Sequence, residues 1–382
     1  MAKLPTLAFV SDAVYPYNKG GKETRLFEIT TRLSKRGYDV HIYCMKWWDG
    51  TDDRVENGVT LHGICPLMPL YDGPRRSIKQ GVLFGLACFR LITAKFDVVD
   101  VDHMPFFPLY SMRVVCWLKG KKMIATWHEV WGQKYWQEYL GGVKGHIAWW
   151  IERVSVLFPD QINAVSQMTA DRLRKQLKYS GKLSVISNGI DLKGIQSAKK
   201  SSQTSDVIFA GRLLKHKNVD VLLQAIDIVR NTQPDVKLII AGEGPEKENL
   251  LSLSKKLKLE KNVEFLPFQE DIKDLYGLIK ASKVFVLPSE REGFGLVVLE
   301  ANACGVPVIT VNCPDNAAKE LVTNTSGTVV ALNSAEVAKA ILEYFEAPHH
   351  AASNNYNSYS WDLTLNRLIK GMSLQKPSDL VN

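Results

Sequence analysis

The sequence predicts an α/β fold laid down twice in succession, and three observations predict it. Short β-branched apolar runs, at residues 4–10, 40–44, 207–210, 237–241 and 263–266 among others, alternate with longer stretches of helical periodicity. Between the two lie polar, Gly-containing loops, the pattern of parallel strands joined by crossover helices. The rhythm breaks at the polar residues 196–205, after the turn signal Asn188-Gly189-Ile190-Asp191, and then restarts. A chain of 382 residues is long enough for two such domains.

Residues 4–10 are the first expected strand, and residues 11–22 a polar loop carrying Gly20 and Gly21. Leu26, Ile29 and Leu33 fall at helical spacing, with Gly37 as the stop, and residues 40–44 resume the sheet. This βαβ opening lacks the G-x-G-x-x-G fingerprint. Its second strand runs into Tyr43, Cys44, Met45 and Lys46 with no acid to take a ribose, which disfavours a nicotinamide-dependent oxidoreductase. The paired glycines let a backbone approach a ligand closely. Residues 51–80, rich in Pro, Gly and charge, read as a mobile loop or small hairpin, and residues 81–94 as an apolar helix.

Residues 96–102 are a strand ending in Asp100-Val101-Asp102, beside His103. The D-x-D triplet matches a metal-binding motif, but such short matches are common, and solvated acids at a strand end are the expectation. Residues 121–126 then deliver Trp127, His128 and Glu129 to the carboxyl edge of the sheet, where open α/β folds bind ligands. That position raises His128 above an average histidine. The aromatics of residues 127–150 read partly as core and partly as the lining of an acceptor groove or a membrane interface. Residues 161–166 and 183–187 are further strands.

In the second half, the strand at 207–210 leads into a basic loop with Gly211, Arg212, His216, Lys217 and Asn218. The strand at 283–287 leads through Glu292, Phe294, Gly295 and Leu296 into a short helix containing Glu300, which Gly305 stops before the strand at 306–311. The amino end of that helix offers free N–H groups to an anion, and Glu292 and Glu300 offer acceptors to hydroxyls. A nucleotide sugar presents both kinds of group. Arg212 as a planar fork and Lys217 as a point charge can offset a pyrophosphate without a metal.

Composition narrows the classes. With 46% hydrophobic and 23% charged residues the chain is an ordinary globular one, and no apolar stretch approaches the roughly 20 residues needed to span a bilayer. No signal peptide opens it, so a cytoplasmic protein is expected. The six cysteines, at 44, 65, 88, 116, 304 and 313, form no CxxC pair and read as buried free thiols. The net charge of +8 is lopsided: 26 Lys and Arg stand against 17 Asp and Glu in residues 1–190, and 22 against 23 in the remainder. Clusters such as Arg75-Arg76, 119–122 and 172–175 suit an anionic membrane surface. No helix-turn-helix, zinc or RNA-binding signature accompanies them, which weighs against a non-catalytic nucleic-acid binder.

Taken together, these motifs resemble the retaining GT-B glycosyltransferases of the family-4 type along nearly the whole chain. The matching points are Gly20-Gly21, His128, Asn188-Gly189-Ile190-Asp191, Gly211-Arg212-Leu213 with Lys217, Gly242-Glu243-Gly244-Pro245, the Glu292/Glu300 pair around Phe294-Gly295, and Ser360-Trp361-Asp362. The resemblance implies GT-B architecture, two Rossmann-like domains facing across a deep cleft: residues 1–190, joined by a crossover helix at about 356–382, and residues 191–355. It implies a hexosyltransferase acting on a UDP- or GDP-linked sugar, needing no metal or other cofactor, with a lipid-linked or glycan acceptor. Arg212 and Lys217 would grip the diphosphate, Glu300 the ribose and Glu292 the sugar hydroxyls. Backbone N–H groups of Phe294, Gly295 and Leu296, and those near Gly20 and Gly21, would hold sugar or phosphate oxygens, and His128 would stabilise the transferring sugar. Two departures stand out: Asn218 where relatives carry Gly, and Pro267 in a segment that in relatives contacts the base through backbone.

Overall fold

The computed structural model describes residues 4–73, 75–346 and 356–374. Within these, the chain forms two compact units, divided after Asn188 and again before Trp361: the described residues up to Asn188 together with 361–374 form one, and those from Gly189 to Ser360 the other. Position 355, the expected end of the second domain, and positions 375–382 of the expected crossover segment lie outside the described residues.

The first unit runs β1 (Thr6–Val10), α1 (Gly21–Lys35), β2 (Asp39–Lys46), β3 (Asp53–Glu56), β4 (Val59–Pro66), β5 (Tyr71–Asp72), β6 (Arg75–Arg76), α2 (Ile78–Ala87), β7 (Val98–Asp102), α3 (Phe107–Lys119), β8 (Lys122–Trp127), α4 (Gly132–Leu140), α5 (Gly142–Ser155), β9 (Gln161–Ala164), α6 (Gln167–Lys175) and β10 (Leu183–Val185). Its main sheet has the order β10-β9-β8-β7-β1-β2-β4-β3, parallel except for the β3/β4 pair. Residues 51–80 are therefore not merely a loop: β4 pairs parallel with β2, and β3 folds back on it as a hairpin. Val59 and Leu61, both buried and two residues apart, carry the period-2 signal of that strand, and Ile64, also buried, falls out of phase at the register shift opposite Cys44/Met45.

The second unit runs α7 (Leu192–Ser197), β11 (Ser205–Ala210), α8 (Val219–Val229), β12 (Leu238–Ala241), α9 (Lys247–Lys256), β13 (Val263–Leu266), α10 (Ile272–Lys280), β14 (Ser282–Leu287), β15 (Arg291–Glu292), α11 (Leu296–Ala303), β16 (Val308–Val311), β17 (Asp315–Asn316), β18 (Gly327–Val330) and α12 (Ser334–Glu346). Its six-stranded sheet, β13-β12-β11-β14-β16-β18, is parallel throughout, and β15 pairs parallel with β17 beside it. The central strands β12 and β16 are buried throughout, and β11 and β14 are buried except at Asp206 and Lys283, so they read as apolar runs, while the edge strands β13 and β18 are partly exposed.

The last helix, α13 (Trp361–Met372), packs in the first unit. Trp361, Leu365 and Leu368 join a core with Leu26, Ile29, Leu33 and Ile186. Leu363 is 38% exposed and turns outward. Both sheets reverse direction once. In the first, β2 and β4 extend to one side of β1 and β7 returns to the other; in the second, β12 and β13 extend to one side of β11 and β14 returns to the other. At such a switch the loops leaving two adjacent strands part, and the gap between them is where α/β sheets place ligands.

Candidate functional site

The switch point of the second unit collects the residues singled out in its sequence. The loop after β11 is fastened to both neighbouring strand exits. Leu213 N donates to Glu243 O at 2.9 Å on one side, and Glu290 N donates to His216 O at 2.9 Å on the other. The motif glycines serve this close packing: a Cβ on Gly242 would lie 1.9 Å from Gly211 O, and one on Gly244 2.3 Å from Leu213 O. Asn218 closes the loop at φ 49° and ψ 42°, left-handed backbone. Asn is the residue after Gly that tolerates this region best, so the departure from the family pattern preserves the turn. Its side-chain amide donates to Pro288 O at 3.3 Å, tying the loop to the exit of β14.

Across that gap, Lys217 Nζ donates to Glu292 Oε1 at 2.5 Å, with side chains 17% and 13% exposed. Arg212, at the start of the same loop, is half-buried. Behind Glu292 the chain enters α11 through Gly295, whose φ of 92° requires glycine and whose hydrogen packs where a Cβ would stand 2.4 Å from Ala318 Cβ. In the first turn Val298 N donates to Gly295 O at 2.9 Å, and the N–H groups of Leu296 and Val297, which have no acceptor within the helix, carry its positive end. Phe294 is buried beside Tyr359, so its contribution is limited to backbone. Glu300 is buried, and its Oε1 accepts from Tyr276 OH at 3.1 Å. Burial raises the Glu300 carboxyl to about 7, outweighing the tyrosine's hydrogen bond, which acts the other way.

The switch point of the first unit holds a polar cluster that sequence reasoning resolved only in part. Gly20 caps α1 in extended conformation, and a Cβ on Gly21 would meet nothing within 4 Å. Neither glycine is forced by its backbone angle; the pair leaves room at the helix amino end. Next to it Lys22 Nζ donates to Asp12 Oδ1 at 2.7 Å and lies 3.8 Å from Asp102 Oδ2. Asp12 also accepts from Arg76 Nη2 at 3.0 Å and Gln80 Nε2 at 3.2 Å. Burial opposes ionisation of Asp12, but Lys22 and Arg76 prevail and lower it. Arg76, expected as part of a surface cluster, is thus an internal partner, and Lys121 of the 119–122 cluster is paired with Asp97.

His128 stands one residue past β8, and its Nε2 is 2.9 Å from Asp102 Oδ1. Asp102 is held at about 2: burial pushes it up, but Lys22 and the His128 hydrogen bond outweigh it. An ionised carboxylate only accepts, so the His128 proton is on Nε2. His128 N donates to His103 Nδ1 at 3.3 Å, and burial lowers His103 to about 3, keeping it neutral. Asp100 is 6% exposed and takes the Thr126 hydroxyl at 2.8 and 3.0 Å, with burial raising it to about 7. The expected solvated acids are therefore withdrawn from water, Asp100 buried and Asp102 largely so, and each acid has its own partner. Among the described residues no cluster of three His, Cys, Asp or Glu is arranged to hold a metal. The six cysteines are free, four of them buried.

Asp12, Lys22 and Tyr276 were not anticipated, and Asp102 was expected only as a solvated acid at a strand end. Lys22 and Asp12 had a readable signal, a lysine opening a helix after two glycines and an acid just past the first strand. Tyr276 had none, since its meeting with Glu300 depends on how α10 packs on α11.

Two family profiles match this chain in succession. Glycosyltransferase Family 4 covers residues 19–193 and Glycosyl transferases group 1 covers residues 193–361. Among curated relatives, the O-antigen biosynthesis glycosyltransferase WclY of Escherichia coli is 34% identical over 230 residues, 58% of this chain and 62% of that one. The chain spans about half the length of the curated relatives it matches first, between 42% and 62%. Among solved structures, sucrose-phosphate synthase from Thermosynechococcus elongatus superposes with a TM-score of 0.77 at 17% identity, covering 96% of this chain and 98% of that one. Anabaena HepE in complex with UDP and glucose superposes at 0.72 with 19% identity, covering 97% and 99%. The fold is that of the GT-B glycosyltransferases, two Rossmann-like halves with parallel sheets. The chain belongs to the family-4 type of these glycosyltransferases, with one family profile on each half.

Proposed function

We propose that the chain is a retaining, metal-independent hexosyltransferase that moves a sugar from a UDP- or GDP-linked donor to a lipid-linked, glycan or membrane-surface acceptor. The observation that carries this reading is the Lys217–Glu292 pair at the second switch point, beside the amino end of α11 and the buried Glu300. Lys217 and Arg212 would take the diphosphate, Glu292 the sugar hydroxyls and Glu300 the ribose. Departure of a nucleoside diphosphate builds negative charge, and cations and helix N–H groups already in place stabilise it without reorganisation. His128, oriented by Asp102, would lie against the transferring sugar and stabilise its oxocarbenium-like character.

The UDP and glucose in the HepE structure support a nucleotide-sugar donor, and the WclY relative's part in O-antigen biosynthesis supports a glycan or lipid-linked acceptor. The basic first half supports contact with an anionic membrane, at its cytoplasmic face. Among the described residues no helix is long and apolar enough to cross a membrane. The test is incubation with a panel of UDP- and GDP-hexoses and glycolipid acceptors in EDTA, with the product's anomeric configuration read by NMR. A linkage of the donor's configuration supports the reading. An inverted linkage or loss of turnover in EDTA removes those parts, and no product from any donor removes the whole.

A further inference from the structure

We propose that α2, α3 and α5 of the first unit together form a face that docks on an anionic lipid bilayer. The three helices adjoin. Gly85 of α2 lies so close to Phe107 of α3 that a Cβ would stand 2.6 Å from the Phe107 Cβ. Lys119 Nζ of α3 donates to Ile92 O, in the turn after α2, at 2.8 Å. On the other flank Tyr110 OH of α3 donates to Ile151 O of α5 at 2.8 Å.

The outward side of this layer is apolar. Helix α5 buries Gly145, Glu152 and Ser155. Its opposite side shows Val143, Ile147 and Trp150 to solvent at helical spacing, followed by Leu157, and Val143 is 76% exposed. Helix α3 exposes Trp117 at 71% with Leu118 beside it, and α2 exposes Leu83 and Leu86. A helix apolar on two faces belongs in a core or at an interface, and single exposed residues would need no such explanation.

Charge selects the partner. No Asp or Glu occurs in residues 73–96 or 103–126, which include all of α2 and α3. The one acid of α5, Glu152, is fully buried and accepts from Trp131 N, Gly132 N and Trp136 Nε1. The exposed charges on the layer are cations, among them Lys79, Arg90 and Lys144. The acids at its margin, Asp160 and Glu138, are each paired with a cation, Arg113 and Lys134. An apolar face whose own exposed charges are cations, with Trp at its surface, suits the headgroup boundary of an anionic membrane: the apolar groups enter the acyl region and the cations meet lipid phosphate. This locates the membrane contact in the reading above, and its measurement uses neither donor nor acceptor, so it fails or holds separately from the transfer reaction.

The experiment is flotation of the full chain with phosphatidylcholine vesicles, with and without phosphatidylglycerol, at low and high salt. The wild type is expected to float with the anionic vesicles only and to be released by salt. The Lys79→Glu/Arg90→Glu/Lys144→Glu and Leu86→Ser/Trp117→Ser/Trp150→Ser variants should each bind about tenfold more weakly or worse. Brominated lipid should quench wild-type Trp fluorescence, and less so after Trp117→Phe/Trp150→Phe, a check that does not depend on the polar variants folding. Absence of flotation at low salt, unchanged binding by both triple variants, or no quenching overturns the proposal. A wild-type dimer that the apolar variant dissociates also overturns it, assigning the face to a second copy of the chain.

Discussion

Asp102 and His128 are joined by a 2.9 Å hydrogen bond in which the histidine Nε2 donates to a carboxylate held at about 2. They leave adjacent parallel strands, β7 and β8, so the sheet register itself sets their spacing. One consequence is a graded response to substitution. His128→Ala should lower kcat by about 100-fold with a smaller change in donor binding. Asp102→Asn should lower it by about tenfold and alter the pH profile, because an amide can turn its N–H toward the ring and allow the other tautomer. Steady-state kinetics across pH distinguish this from a general loss of structure, which would scale activity without moving the profile.

The Lys217–Glu292 pair predicts a division of effects between binding and turnover. Lys217→Ala removes a diphosphate partner and leaves Glu292 without its cation, so donor affinity and kcat should both fall, affinity by about tenfold or more. Arg212→Ala should behave alike. Glu292→Gln keeps the shape but loses the charge; turnover should fall more than donor affinity. Separate titration and single-turnover measurements provide the comparison.

Glu300 predicts a pH dependence of donor binding. A ribose diol donates to a carboxylate, and burial raises this one to about 7, so affinity should increase as pH rises through 7 and level off above it. The sign for stability is opposite. The folded-state value exceeds the ordinary 4.5, so ionisation is what the fold resists, and this group's contribution is lost as pH rises from about 4.5 through 7. Glu300→Gln should bind donor more weakly at pH 8 and remove both slopes, which calorimetry and thermal unfolding across pH can check.

Two backbone positions predict stability effects. At Gly295, alanine would combine a φ of 92° with a 2.4 Å approach to Ala318 Cβ and should cost about 1–3 kcal/mol, displacing the amino end of α11. At Asn218, glycine should be nearly neutral, whereas alanine, disfavoured at φ 49°, should cost about 1 kcal/mol. Denaturant unfolding measures both.

These sites also indicate what a sequence makes legible. Strands, helices and the position of His128 at a strand exit follow from periodicity, and Glu292, Gly295 and Glu300 follow from one local strand-loop-helix unit. The β4 strand was obscured by the Pro, Gly and charge around it and by a break in its alternation, in which Val59 and Leu61 are in phase and Ile64 is not. Pairings between distant segments were not legible: Asp102 with His128, Asp12 with Lys22 and Arg76, and Tyr276 with Glu300 arise from sheet order and helix packing. Burial then changed the meaning of residues whose type suggested solvent, as with Asp100, Asp102 and Arg76.

The central claim is that the second unit grips a nucleoside diphosphate through Lys217 and the adjacent helix end without a metal. Calorimetric titration of UDP and GDP in EDTA tests it most directly, using the wild type, Lys217→Ala and His128→Ala. Saturable binding of one nucleotide is expected, weakened about tenfold or more by Lys217→Ala and far less by His128→Ala. Binding of neither nucleotide, binding that requires added divalent metal, or binding indifferent to Lys217→Ala would contradict it.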